Sequence, residues 1–145
     1  MSRPLRGRLL KNPSFTVYRM PGFIRQIREA IHDAKVERAR SRIRERIYEA
    51  VGTTPVVIYD AFPSENGFPI DNLDEIPVEG RLLIEDDIWD TPSKEAESPT
   101  WLQLAVICDQ MIRASGDFQH VFLEGIEKLG ETPDGRIRIC FDLGS

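Results

Sequence analysis

The chain is poor in the residues from which small-molecule and metal sites are usually built: it has two cysteines and two histidines in 145 residues. So few thiols exclude a disulfide-dense scaffold, and neither C-x-x-C nor H-E-x-x-H spacing occurs. The signatures G-x-x-x-x-G-K-[ST], G-x-G-x-x-G and G-x-S-x-G are also missing, which argues against the familiar nucleotide-binding and hydrolase sites. Long apolar runs are absent as well. Pro55–Tyr59 and Leu104–Cys108 are the longest such stretches, far short of a bilayer span. Cys108 lies in Leu-Ala-Val-Ile-Cys and Cys140 in Ile-Arg-Ile-Cys-Phe, and no secretory apolar region precedes them. Two reduced, partly buried thiols in a soluble cytoplasmic protein are expected.

Charge, by contrast, is plentiful and divided. Residues 1–51 hold thirteen Lys/Arg against five Asp/Glu, and residues 52–145 hold six against nineteen. A formal net charge of −5 therefore hides a segment of +8 joined to one of −13, and each half selects partners of opposite sign. The first thirteen residues carry Arg3, Arg6, Arg8 and Lys11 without an acid. Pro4, Gly7 and Pro13 prevent the amphipathic helix that an organellar presequence needs, so residues 1–13 are read as a flexible basic arm. Residues 14–145 are then one domain, long enough to bury roughly two thirds of its unfolded surface without disulfide or metal.

Periodicity supplies the elements. Ser14–Met20 is rich in aromatic and β-branched residues and reads as a strand. From Phe23 to Val51 there is no Pro or Gly, and the residues favour a long helix or two abutting ones. Ile24, Ile27, Ile31 and Ala34 mark one face, and Val36, Ala39, Ile43, Ile47 and Ala50 mark another about half a turn around the axis. Either the helix breaks near His32–Val36 or one helix serves two packing surfaces, one half packing on its own domain and the other meeting a second chain. Gly52 ends the helix. Pro55–Tyr59 and Arg81–Glu85 read as strands, and the irregular residues 61–80 between them form a binding loop or a covering flap.

A further loop over residues 90–98 leads to a helix with Ser98 as N-cap and Pro99 at N1, whose apolar face is Trp101, Leu104, Ala105, Cys108, Met111 and Ile112. A third helix is expected from Asp117 to Gly130 on the stripe Phe118, Val121, Phe122 and Ile126. After a turn at Pro133-Asp134-Gly135, the last strand points Ile137, Ile139, Phe141 and Leu143 inward and Arg136, Arg138 and Asp142 outward. The expected fold is α+β: a mostly antiparallel sheet of about four strands, with the long charged helix and two C-terminal helices on one face.

Three constellations carry candidate chemistry. On the long helix Arg28, Lys35 and Arg42 recur every seven residues with Arg38 and Arg46 beside them, a cationic ridge that suits phosphates, with Arg3, Arg6, Arg8 and Lys11 extending the contact. Acidic neighbours temper it, because Arg25 with Glu29 and Arg42 with Glu45 stand at helical ion-pair spacing. The reading that costs least is docking of the ridge on an acidic surface of the same chain or of a symmetry mate. The second constellation is the run containing Asp86, Asp87, Trp89 and Asp90, in which an indole among carboxylates suits an interface anchor with a charged rim. It lacks the alternating ligand pattern of a calcium loop, so no metal is assigned. The third is Asp117, His120 and Glu124, which one helical face would bring together for general base work. No nucleophile accompanies them. The sequence thus points to a non-catalytic interaction protein that pairs with itself or with another protein, with nucleic acid as the alternative partner, an enzyme or metal site around His120 as a third reading, and with no cofactor and no membrane contact.

Overall fold

In the computed structural model, which describes residues 20–60, 71–86 and 89–145, the chain divides into two units, residues 1–37 and 38–145. The expected strand at Ser14–Met20 lies outside the described residues apart from Met20, which is the first residue of helix α1. This helix runs over Met20–Val51 without a break. Pro21 sits in its first turn, where a missing amide hydrogen costs nothing. At the other end Gly52 adopts φ 90° and donates its amide to the Tyr48 carbonyl at 2.8 Å, a conformation that favours glycine.

Of the two expectations for this helix, the single continuous one holds. In the first unit Phe23, Ile24, Ile27 and Ile31 are exposed, whereas in the second Ile43 and Ile47 are buried at 3% and 1% relative exposure.

The second unit is built on five strands. They are β1 (Ile58–Tyr59), β2 (Arg81–Glu85), β3 (Lys94–Glu97), β4 (Phe122–Glu131) and β5 (Ile137–Gly144), and they lie in the order β1-β4-β5-β2-β3. Pairs β1–β4 and β2–β5 are parallel, while β4–β5 and β2–β3 are antiparallel. The sheet is therefore mixed, which corrects the expectation of a mostly antiparallel one. The inward alternation of β5 is as expected, and Ile139 and Phe141 join the core with Leu82 and Ile84 of β2. Helix α2 (Trp101–Ser115) buries all six residues of its expected apolar face against them.

The start of α2 differs from expectation. Thr100 is the N-cap: its hydroxyl accepts from the Gln103 amide and its own amide donates to the Gln103 side chain, a capping box. The other early amides are met by the chain just before β2, for Trp101 N donates to Glu75 O and Leu102 N to Leu73 O, both at 2.9 Å. Leu73 is fully buried, so residues 71–80 form a covering flap. The rest of that loop, residues 61–70, falls outside the described residues. Ser98, freed from capping, instead clasps Gly80: its amide donates to the Gly80 carbonyl and its hydroxyl accepts from the Gly80 amide.

The third helix does not exist among the described residues; only two helices occur there, and residues 122–131 are strand β4. A register shift between Leu123 and Gly125 interrupts the strand's alternation there. Leu123 faces Leu143 and Ile126 faces Phe141, both on the core side, so one bulged residue turns a strand's spacing of two into a helix-like spacing of three. Strand β3 was missed for a different reason. Lys-Glu-Ala-Glu has low strand propensity and contributes only Ala96 to the margin of the core, which is the composition of a charge-protected sheet edge.

Candidate functional site

The second unit uses one member of the cationic ridge for its own folding. Arg46, on the buried half of α1, places its guanidinium on Asp71 at 3.0 Å and on Asp74 at 2.6 Å. The bond to Asp74, followed by the nearby charges, holds the Arg46 guanidinium above its ordinary value. Arg28, Lys35, Arg38 and Arg42 are exposed and make no ion pair among the described residues. The helical pairs Arg25 with Glu29 and Arg42 with Glu45 are not formed either, so the ridge is less neutralised by its own helix than the spacing suggested.

The acidic run and the His120 constellation, 28 residues apart for Trp89 and Asp117, come together in space. Asp86 closes a short turn by accepting from the Trp89 amide at 2.7 Å and the Thr91 hydroxyl at 2.6 Å. The turn holds the half-buried indole of Trp89 against the core, with its N–H donated to Asp117 Oδ2 at 3.0 Å. The same oxygen meets His120 Nδ1 at 3.0 Å, and Asp117 Oδ1 accepts from the Gln119 amide. Asp117 thus organises the turn between α2 and β4 rather than capping a helix. Asp90 is exposed, and Asp87 lies outside the described residues.

Three donors converge on one carboxylate, and the indole N–H, then the Gln119 amide, then His120 hold the Asp117 carboxyl down to about 2. The group favours its charged form more strongly when folded, so its contribution to stability is complete above the ordinary carboxyl range. That contribution fades as pH falls from about 4 through the folded value of about 2. A carbon-detected acid titration of Asp117 is expected to show its midpoint near 2; a midpoint near 4 would mean that the three donors do not act together.

Glu124 does not join this group. It is exposed on β4 beside Gly144 of β5, because the segment that was to be a helix is a strand. With Glu124 gone, His120 and Asp117 form a half-exposed dyad on a turn. Among the described residues no group of three or more His, Cys, Asp or Glu could hold a metal ion. The two thiols, Cys108 and Cys140, are free and buried, and burial pushes the Cys108 thiol up, away from the reactive thiolate.

Two surface features escaped the sequence reading. An apolar groove of about 420 Å³ opens between the second half of α1 and β1, with Tyr48 and Ile58 on its walls and Arg44 and Glu45 at its rim. On the sheet's polar face Arg138 of β5 grips Glu85 of β2 with two bonds of 3.0 and 2.9 Å, and this keeps the Glu85 carboxyl below its usual range. Neither partner choice was visible, because the parallel neighbours lie 53 residues apart.

Comparison with protein-family models, with curated proteins and with solved structures finds no match to this chain. No helix among the described residues is long and apolar enough to cross a membrane.

Proposed function

We propose that this protein is a non-catalytic assembly protein that docks on a protein partner through the first half of α1. The reading is carried by one observation: Phe23, Ile24, Ile27 and Ile31 are 58, 40, 44 and 50% exposed on a helix whose later isoleucines are buried. Four large apolar side chains at helical spacing form a contiguous face of the kind that partners cover. The Trp89 turn is the second docking element in this proposal, with Asp90 exposed beside an indole fixed by Asp117. Two free buried thiols favour a reducing, cytoplasmic setting.

A photo-crosslinking amino acid at Arg28, an exposed position within the isoleucine row, tests this in cells. A discrete adduct is expected, and it should disappear when Ile27→Ser and Ile31→Ser are added. Absence of any discrete adduct would overturn the docking reading.

A second reading, nucleic-acid binding, is favoured by the four ridge cations that lack acidic partners among the described residues. Under it the protein retards labelled duplex at about 50 mM salt, and the log-log salt slope is about −3 to −4 if all four reach phosphates. No retardation at that salt would remove it.

A further inference from the structure

We infer that the open edge of the sheet at β3 takes up an extended peptide whose residues alternate apolar and basic, a docking site separate from the first half of α1. Its walls lie within the 38–145 unit. A groove of about 500 Å³ runs between β3 and α2, lined by Ala96 of β3, by Pro99, and by Leu102, Val106 and Ile107 of α2. These α2 residues are half-buried and stand beside the face that the core buries, so the helix carries apolar surface that its own unit does not close over.

The edge supplies the backbone. Strand β3 ends the sheet order and pairs with β2. Ser98 N donates to Gly80 O, and in an antiparallel ladder the bonded residues alternate, so Ala96 and Lys94 also turn their amides and carbonyls to β2. Those of Glu95 and Glu97 face away from the sheet. A strand laid along this edge meets these groups and sends every second side chain into the groove beside Ala96. A helix would leave them unpaired. The site is held ready, because the clasp of Ser98 on Gly80 and the capping box at Thr100 fix the spacing between the end of β3 and the first turn of α2.

Charge selects the occupant. Ala96 packs toward the core, which puts Glu95 and Glu97 on the sheet's other face, and both are exposed. Glu95 meets Arg136 at 2.8 Å. Glu97 makes no ion pair among the described residues, since Arg81 opposite it donates instead to the Asp134 carbonyl. A Lys or Arg of the incoming strand, placed beside Glu97, supplies the missing partner. The surrounding field has the matching sign: the described residues of 38–145 hold eleven Lys/Arg against nineteen Asp/Glu. The same glutamates guard the edge against a second copy of β3, whose own Glu95 and Glu97 would lie against like charges.

The test uses the full chain and a fluorescein-labelled peptide of about seven residues that alternates Lys and Val. Saturable binding is expected, at least about tenfold tighter than for a peptide of the same composition with Lys and Val in separate blocks, or for one with Glu in place of Lys. Glu97→Lys should weaken binding of the Lys-Val peptide by about tenfold, and Val106→Glu by more than that. Neither side chain is buried, so both variants should unfold at the wild-type urea midpoint, which separates lost binding from lost fold. Amide exchange reads the edge directly: Glu95 and Glu97 should exchange freely in dilute protein and become protected with peptide, while Ala96 is protected throughout.

No saturable binding up to about 1 mM peptide, equal binding of the block peptide, or binding unchanged by both variants would overturn the inference. So would binding that leaves the Glu95 and Glu97 amides unprotected. Protection of those amides before peptide is added overturns it too, assigning the edge to another segment of this chain if it persists on dilution and to a second copy if it is lost. The Arg28 adduct reports on α1 alone, so the two docking sites stand or fall separately.

Discussion

Asp109→Ala is expected to lower the stability of the 38–145 unit by about 3–5 kcal/mol, a large share of the whole margin of a domain, which is about 5–15 kcal/mol. The carboxylate is 1% exposed, yet all its partners are in place. Its Oδ1 accepts from the Val56 and Val57 amides at 2.6 and 3.0 Å, and its Oδ2 accepts from Arg113 Nε at 2.7 Å. Arg113 in turn donates to the Thr54 carbonyl at 2.5 Å.

A helix α2 side chain therefore fixes the turn that delivers the chain from α1 into β1, and through it the parallel register of Ile58 with Phe122. Alanine would leave two amides without an acceptor, one of them buried, and a guanidinium with half its bonds. Each orphaned buried donor costs about 1–3 kcal/mol. Asp109→Asn keeps the volume but turns an N–H donor toward either the amides or Arg113, and should cost roughly half as much. Urea unfolding followed by the tryptophans checks both. A midpoint shift worth less than about 1 kcal/mol for alanine, at unchanged slope, would show that the carboxylate does not pin this turn.

The parts of this fold that were legible in the sequence are those set by local periodicity. Helix α2 shows its six buried residues at unbroken helical spacing, and β5 carries Ile137, Ile139, Phe141 and Leu143 on its core side, with Cys140 the one buried residue of the other face. The change of apolar face between Ala34 and Val36 correctly marks where α1 passes from exposed to buried isoleucines. Legibility fails where one residue resets the phase, as at the β4 bulge, and where an edge strand is made of Lys and Glu.

Strand direction was not readable at all. Whether β2 meets β5 in parallel depends on Leu82 finding Ile137, a choice made by the whole core rather than by either segment. The candidate site divides in the same way. The sequence identified Trp89 and Asp117 separately, each from its own neighbours, but their hydrogen bond spans 28 residues and follows from the path of α2. Conversely, the apparent triad with Glu124 was an artefact of local spacing and vanished with the helix that would have carried it.

Two isoleucines on α1 should respond to the same substitution in opposite ways, and this contrast bears most directly on function. Ile47→Ala is expected to cost about 2–5 kcal/mol, since the side chain is 1% exposed within the core cluster that α2 and the sheet complete. Ile27→Ala, at 44% exposure, should change the unfolding midpoint of dilute protein by no more than about 0.5 kcal/mol. Alanine is also the better helix former, which offsets some of the lost contact.

The difference has a concentration dependence of its own. If the isoleucine face is covered by association, Ile27→Ala becomes destabilising as protein concentration rises, because wild type then gains binding free energy that the variant lacks. Ile47→Ala should lose the same amount at every concentration. Thermal unfolding of the three proteins across a hundredfold dilution series separates the cases. A large loss for Ile27→Ala even at the highest dilution would mean that its face is buried within a single chain, and the docking surface proposed for α1 would have no free side to offer.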